Sequence, residues 1–176
     1  MREWVPVSTS PKGRLALTAV RAFGARPFDE VTVGELAANA GVTTGAIYHH
    51  FGSKLGLYLF VRRDVERRLL DRMEGAAGAT VGGSESVKAA LLVGFDFAVR
   101  QDFLRLLGEP PTGSADDPLV KLLTTLSDPA PPPLGRMISA AWRAALLAVA
   151  EGIHADQARR SLIALDIHLD ANAADS

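Results

Sequence analysis

The sequence of 176 residues contains no cysteine, which excludes a disulfide-stabilised scaffold, a thiolate metal site, a cysteine nucleophile and thiol redox sensing. Long hydrophobic runs are also lacking, since the longest, residues 89–95 and 144–150, are far too short to cross a bilayer as a helix. Behind the acidic residue Glu3 there is no apolar segment of the signal-peptide type. We therefore expect a cytoplasmic protein with no membrane association.

The sequence has no large excess of either charge, because 19 Lys and Arg residues stand against 20 Asp and Glu residues, for a formal net charge of −1. This balance argues against a uniformly basic surface for nucleic acid. It hides an asymmetry, however: residues 1–63 contain eight basic and four acidic side chains, whereas residues 64–176 contain eleven and sixteen. Positive charge is therefore in excess in the first third, as phosphate binding requires.

Proline is confined to a few zones, and residues 28–109 and 134–176 contain none. These long stretches are rich in Ala, Leu, Arg and Glu, which favour helix, and few segments alternate apolar and polar residues as strands do. The sequence therefore predicts an all-α protein. The expected helices cover residues 12–25, 33–40, 44–50, 54–73, 85–107, 118–127, 134–151 and 156–170. A glycine-rich joint (75–83), a loop (108–117), a stiff connector (128–133) and a frayed tail (171–176) account for much of the remainder.

The start of the second helix has a clear sequence signal. Thr32 and Glu35 have the spacing of a capping box, in which each side chain accepts a hydrogen bond from the backbone amide of the other residue. Val31 and Leu36 stand where a hydrophobic staple would close. Gly41 then ends the helix, because glycine readily adopts the left-handed conformation that this position needs.

Residues 33–51 read VGELAANAGVTTGAIYHHF, and two short helices joined by a Gly-Val turn predict a helix-turn-helix. Ala37 is small where the two helices cross. Ile47 and Phe51 share the face that packs beneath the preceding helix. The opposite face of the third helix, whose amino-terminal end would approach base edges in the major groove, is then free to contact DNA.

The residues expected at the DNA are short or carry a donor. Thr44, Gly45 and Ala46 let the helix backbone approach the bases, and their methyl and hydroxyl groups suit thymine methyls and base-edge atoms. The third helix has no Arg, Asn or Gln, so we expect few base contacts, with affinity from phosphates and some specificity from DNA shape. The candidate phosphate donors are Thr43, Tyr48, His49 and Lys54.

Residues 15–57 resemble the DNA-binding domain of the TetR family of bacterial one-component regulators. The signature Gly-Val-x-x-Gly-x-Ile-Tyr-x-His-Phe-x-x-Lys runs from Gly41 to Lys54. The resemblance implies that Thr32, with Tyr48, His49 and Lys54, touches phosphate and that residues 43–46 lie nearest the bases. Two departures are Pro27, where the family usually has glycine, and Leu55, where an acid is common; neither removes a DNA contact.

The last two predicted helices have the pattern of an interface, with small residues on one and an aliphatic stripe on the other. The candidate interface residues are Ala141, Ala145, Ala148, Ala158, Leu162, Leu165 and Leu169. The resemblance implies that these helices form a homodimer and that the other carboxy-terminal helices enclose a small-molecule inducer. A two-fold dimer would read palindromic double-stranded DNA with two recognition helices about 34–36 Å apart.

The residues of an inducer pocket are less distinct. The fifth helix is apolar on more than one side, which fits a helix that bounds a cavity and equally one inside a solid core. We take Phe95, Phe97, Trp142 and His154 as candidate pocket residues, with core packing as the alternative for each.

The chain is thus divided into a helix-turn-helix DNA-binding domain (1–52), a connecting helix with a flexible joint (53–83) and a helical regulatory and dimerisation domain (84–176). The function it indicates is a ligand-responsive, dimeric, sequence-specific DNA-binding regulator of transcription, a repressor released by an inducer. The alternative is a helical protein–protein interaction module with a vestigial DNA-binding motif.

An enzyme is not expected, because the sequence has no Walker A, GxSxG, GxGxxG or His-Glu-x-x-His pattern and offers no catalytic residues or cofactor site. A metal site at His49 and His50 is not expected either, since adjacent helical positions face different ways. The arginine pairs at 62–63 and 67–68 have the pattern of a solvated helix face, and Asp64 and Arg68 are spaced for an i,i+4 ion pair.

Overall fold

The computed structural model describes residues 9–111, 117–167 and 169, which form nine α-helices and one 3-10 turn and contain no strand. The helices are α1 (Pro11–Ala25), α2 (Val33–Asn39), α3 (Thr44–Phe51), α4 (Lys54–Gly78), α5 (Ser84–Arg100), α6 (Leu104–Gly108), α7 (Pro118–Leu126), α8 (Pro133–Ala150) and α9 (Ala155–Ala164). The 3-10 turn, Phe28–Glu30, lies between α1 and α2. The prediction of an all-α protein with an amino-terminal three-helix unit and a carboxy-terminal helical domain is confirmed.

The observed bounds of α1, α2, α3, α7 and α8 agree with the predicted ones to within one residue. These helices begin or end at strong local signals. The Ser10 hydroxyl caps α1 by accepting from the Gly13 amide at 3.0 Å, and the Asp117 carboxylate caps α7. Parts of two predicted segments, residues 112–116 of the loop and the tail 171–176, lie outside the described residues.

The predicted end of α4 at Met73 is wrong, because the helix continues through Gly75 to Gly78. Met73 and Ala77 are buried on the face of α4 that packs against α5. This burial outweighs the cost of about 1 kcal/mol that glycine adds inside a helix. The predicted glycine-rich joint is thereby reduced to residues 79–83, where Gly82 and Gly83 have positive φ angles of 95° and 64°.

The predicted helix over residues 85–107 is in fact two helices. Asp102 adopts a φ of +57°, which ends α5, and the Phe103 amide donates to the Ala98 carbonyl at 2.9 Å. Phe103 is buried with its ring centroid 5.6 Å from that of Phe97. The chain therefore bends so that α6 can pack on α1, α4 and α8.

The last helix is shorter than predicted, and this corrects the interface stripe. Helix α9 ends at Ala164 with Leu165 as its C-cap, and Asp166 has a φ of +42°. Leu169 lies beyond the helix, where its amide donates to the Ser84 hydroxyl at 2.9 Å. Because the chain turns back towards the start of α5, Leu169 does not continue the helical stripe of α9.

Hydrogen bonds from two side chains hold the carboxy-terminal helices on α5. The buried Trp142 of α8 donates its indole N–H to the Leu91 carbonyl at 3.0 Å. The Arg159 guanidinium of α9 makes two hydrogen bonds to the Asp96 carboxylate, at 2.9 and 3.3 Å. Helix α5 is therefore the centre of this half of the protein, packed between α4 and α8 with α9 alongside.

The first prediction concerns the close approach of α1 to the bend before α6. A Cβ atom on Gly24 would lie 2.3 Å from the Asp102 carbonyl oxygen, whereas one on Gly75 would meet nothing within 4 Å. Gly24→Ala should therefore lower the free energy of unfolding by about 1–3 kcal/mol through overpacking. Gly75→Ala should raise it by about 0.5–1 kcal/mol through helix propensity. Chemical denaturation of both variants measures this difference, and equal stabilities would contradict the proposed contact.

Candidate nucleic-acid interface

The first structural element of the candidate interface is the capping box at the start of α2. The Thr32 hydroxyl accepts from the Glu35 amide at 3.2 Å, and the Glu35 carboxylate accepts from the Thr32 amide at 3.0 Å. The hydrogen bond from the Thr32 amide, with those from Arg26 and from the Thr32 hydroxyl to the same carboxylate, lowers the pKa of Glu35 to about 2. The predicted capping box is confirmed, and it occupies the Thr32 hydroxyl, so a phosphate contact by this hydroxyl would compete with the cap.

The turn between α2 and α3 is tight, and the two helices cross over buried side chains. Gly41 has a φ of +63°, and the Val42 amide donates to the Ala37 carbonyl at 3.0 Å. Ala37 and Ile47 are buried where the helices cross, and Phe51 is half-buried against Phe60. The helix-turn-helix geometry therefore agrees with the predicted packing, and it fixes which face of α3 points away from the protein.

That outer face of α3 exposes Thr44, Gly45, Tyr48 and His49, while Ala46 is half-buried. Tyr48 is 56% exposed, which is unusual for so large a side chain and leaves its ring and hydroxyl at the surface. Thr43 is the N-cap of α3, yet its side chain makes no capping hydrogen bond. Its hydroxyl can therefore donate to a phosphate without breaking a cap, in contrast to that of Thr32.

Lys54 has a structural role that the sequence analysis missed. Its ammonium group donates to the Phe28 and Val31 carbonyl oxygens, both at 3.0 Å, and lies 4.1 Å from the centroid of the Phe28 ring. These contacts join the start of α4 to the segment that leads into α2. An ammonium group has three donors, so one N–H remains for a phosphate. The predicted phosphate contact is thus compatible with an anchoring role.

Three aromatic rings pack together beneath the ammonium group of Lys54. The centroid of Phe28 lies 5.7 Å from that of Phe23 and 5.1 Å from that of Tyr58, which contacts Phe23 at 5.1 Å. The sequence alone did not predict this cluster of rings. The signal available in the sequence was the helical spacing of Lys54 and Tyr58, which places both on one face of α4.

The four candidate pocket residues lie in different environments. Phe95, Phe97 and Trp142 are buried in the core, and the guanidinium of Arg72 lies 4.4 Å from the centre of the Phe97 ring. His154 is exposed and caps α9 by accepting from the Asp156 amide at 3.3 Å. None of the four lines either of the two grooves beside α8. Their assignment to a ligand pocket stays a prediction, and their positions do not support it.

Two grooves lie on neighbouring faces of α8, and Ala144 lines both of them. One, of about 730 Å³, is bounded by α7 and α8 and by the end of α6. The other, of about 410 Å³, lies between α8 and α9. Of the candidate interface residues, the second groove is lined by Ala141, Ala145, Ala148, Ala158, Leu162 and Leu165. Ala158 and Leu162 are already buried within one chain, whereas Leu165 is 47% exposed.

Neither a metal nor a membrane is indicated by the described part of the chain. No group of three or more His, Asp or Glu side chains in it is arranged to hold a metal ion. No helix within it has the length and hydrophobicity needed to cross a membrane. The rings of His49 and His50 contact each other, with centroids 4.8 Å apart.

Comparison with known sequences gives matches to the amino-terminal part of the chain. Residues 17–61 match the model of the bacterial regulatory proteins of the tetR family. The HTH-type transcriptional activator FasR of Mycolicibacterium smegmatis is 33% identical over 86 residues, which cover 49% of this chain and 39% of FasR. The HTH-type transcriptional regulator BetI of Brucella anthropi is 35% identical over 77 residues, or 44% of this chain and 40% of BetI. The match therefore spans about two fifths of each relative.

Comparison with solved structures extends the similarity of fold to both halves of the chain. A TetR-like transcriptional regulator from Rhodococcus sp. RHA1 has a TM-score of 0.69 at 21% identity, covering 91% of this chain and 94% of that one. A TetR-family regulator from Pectobacterium atrosepticum has a TM-score of 0.64 at 23% identity, covering 88% and 89%. The carboxy-terminal helices thus share the fold of these regulators.

The second prediction concerns the pH dependence of the capping box. The pKa of Glu35 is about 2 in the folded protein and 4.5 ordinarily, so its contribution to stability is complete above pH 5 and is lost as pH falls towards 2. Glu35→Gln should therefore destabilise the protein at pH 6, and the difference from the parent should shrink between pH 5 and pH 2. Thermal unfolding across this range measures the effect.

The matched control for this prediction is Glu74→Gln, which removes an exposed carboxylate of α4. It keeps the change in net charge equal and leaves the cap intact. If the parent and Glu35→Gln lose stability in parallel as the pH falls, the carboxylate of Glu35 does not stabilise the fold as described.

Proposed function

The domain at residues 17–61 belongs to the TetR family of bacterial regulatory proteins, and from this premise we propose that the chain is a dimeric, sequence-specific DNA-binding repressor that a small-molecule inducer releases from its operator. The observation that carries the proposal is the outer face of α3. It exposes the short residues Thr44 and Gly45 together with Tyr48, while Ile47 on the opposite face is buried against α2.

The contact set we propose has two layers. Thr44, Gly45 and Ala46 lie at the amino-terminal end of α3, where small side chains let the helix approach the bases of the major groove. Thr43 and Tyr48 flank them with hydroxyl groups that reach phosphates, and the remaining donor of Lys54 adds a charge-assisted contact. His49, exposed on the same side, and the amino-terminal end of α2 beside Thr32 complete the surface.

The dimer is supported by the second groove. Ala141, Ala145 and Ala148 of α8 are small enough for a second helix to approach closely, and Ile153 and Leu165 expose apolar side chains at the same groove. A two-fold axis here would pair α8 and α9 with their copies and present two α3 helices to one palindrome. Ala158 and Leu162 contribute by holding α9 in place within each chain.

Ligand response is supported by the packing of α6. This short helix contacts α1 on one side and α8 on the other, so a molecule bound beside α6 can change how the DNA-binding unit sits on α4. The direction of regulation needs its own experiment, because FasR is named an activator. A transcription assay with the captured operator, with and without the protein, decides between repression and activation.

The third prediction tests the proposed DNA contacts. Genomic DNA retained by the protein at low salt supplies the operator, and fluorescence anisotropy then measures affinity. Tyr48→Phe removes a hydroxyl group and Thr43→Val replaces one with a methyl group, so each should weaken binding about tenfold, the equivalent of one hydrogen bond to a charged group, with unchanged stability. Lys54→Met should weaken binding and also lower stability, because it breaks two hydrogen bonds within the protein.

The control is Thr125→Val, at an exposed position of α7 remote from α3. It should change neither affinity nor stability. If Tyr48→Phe and Thr43→Val bind the operator as the parent does, the contact set is wrong. If no duplex DNA is retained even at low salt, the protein is instead an interaction module with a vestigial motif.

The fourth prediction tests the dimer. Leu165→Arg places a charge at an exposed apolar position of the α8–α9 groove, so it should convert the dimer to a monomer and weaken operator binding. Helix content should not change, because Leu165 lies at the C-cap of α9 and not in the core. Sedimentation and circular dichroism measure both properties. Val81→Arg, at a fully exposed position, is the control, and a dimeric Leu165→Arg protein would refute this interface.

A further inference from the structure

The groove bounded by α6, α7 and α8 has a composition that points to a ligand. Its walls are mostly apolar, with Val120 on α7 and Ala140, Ala144 and Leu147 on α8, and Pro110 closes one side. Its charged lining residues are Asp117, Lys121, Arg136 and Arg143, of which Arg143 pairs with Asp117 and Arg136 is exposed. An apolar wall with an exposed cation at one end is complementary to a molecule that has an anionic head and an apolar body.

One of these cations is already used to build the groove. Arg143, with only 8% of its surface exposed, makes two hydrogen bonds to the Asp117 carboxylate, at 2.5 and 3.0 Å. Burial alone would raise the pKa of Asp117, but the hydrogen bonds and charge of Arg143, with the amides of Val120 and Leu119, lower it. This ion pair fixes the start of α7 against α8, so the wall carrying Val120 and Lys121 has a defined position.

The helices that bound the groove touch each other closely at two points, which fixes its width. A Cβ atom on Gly135 would lie 2.5 Å from the backbone nitrogen of Thr124, so α7 and α8 touch directly at that point. A Cβ atom on Gly108 would lie 3.0 Å from the Leu147 side chain, so the end of α6 packs closely on a side chain of α8. These contacts set the spacing of the helices that bound the groove of about 730 Å³.

The charge that remains available lies at one end of α8. Arg136 is exposed in the first turn of the helix, whereas Leu147 lies eleven residues further along. At about 1.5 Å per residue, the groove wall extends roughly 16 Å from the cation to the apolar end. A head group at Arg136 and an aliphatic chain along Ala140 and Ala144 fit within this length.

We propose that this groove binds a small amphipathic anion, with a carboxylate at Arg136 and an aliphatic body along the α8 wall towards Leu147. The proposal rests on the ligand response described above and names its ligand class. Arg143 and Asp117 act as positioning residues. They form an ion pair with each other, and this pair holds the wall of the groove in place.

Octanoate is the probe, at concentrations below its aggregation threshold, with the full-length protein and without DNA. Calorimetry should detect its binding at pH 7.5. Acetate, which has the head without the body, should bind at least tenfold more weakly, and octylammonium, which has the body with the opposite charge, should not bind. Equal binding of octanoate and octylammonium, or no binding of octanoate, overturns the proposal.

Two variants locate the site. Arg136→Gln removes the proposed head-group partner from an exposed position and should weaken octanoate binding about tenfold. Ala140→Trp fills the groove and should abolish binding. Arg160→Gln, an exposed arginine of α9 outside the groove, should leave binding unchanged. Octanoate that binds both groove variants as it binds the parent occupies another site, which also overturns the proposal.

The experiment separates this proposal from the proposed regulator function. Calorimetry without DNA reports on the groove even if the protein retains no operator. Conversely, a protein that binds its operator but not octanoate is a regulator whose groove lacks this ligand class. A final measurement of operator affinity with octanoate should show a decrease in the parent and none in Ala140→Trp.

Discussion

Arg62 places a positive charge inside the protein, and the arrangement of the two halves depends on keeping that charge satisfied. Its side chain is 2% exposed and donates to the Tyr58 hydroxyl at 2.7 Å, the Glu66 carboxylate at 3.1 Å and the Glu109 carbonyl at 2.8 Å. A buried guanidinium without acceptors costs several kcal/mol. Because the Glu109 carbonyl is at the end of α6, this cost opposes any separation of α6 from α4.

The same contacts extend to the candidate DNA surface. Tyr58, which accepts from Arg62, packs on Phe28, and Phe28 lies beneath the ammonium group of Lys54. Lys54 in turn holds the two carbonyls that precede α2. A continuous series of contacts therefore connects the end of α6 with the start of the helix-turn-helix. The position of α3 relative to the carboxy-terminal domain is consequently set by side-chain packing as well as by the backbone that connects them.

The features predicted from sequence are those that short segments determine. The capping box of Thr32 and Glu35, the left-handed Gly41 and the exposed side of α3 each follow from residues within one or two helical turns. The continuation of α4 past Gly75, the bend at Asp102 and the burial of Arg62 were not predicted. Each depends on a partner far along the chain, and Arg62 in particular has the local pattern of a solvated arginine pair, while one of its acceptors, the Glu109 carbonyl, is 47 residues away.

This distinction changes how the positive charge of the first third relates to DNA. Of its eight basic residues, Arg14, Lys54 and Arg62 donate to acceptors within the protein, and Arg26 pairs with Glu35 at 3.3 Å. Much of the charge asymmetry in the sequence thus stabilises the domain. Salt dependence reflects the phosphates that Lys and Arg side chains neutralise and not the net charge, so basic residues already bonded within the protein add less to it. In the proposed function, operator affinity then depends more on the close approach of the short residues of α3 to the bases.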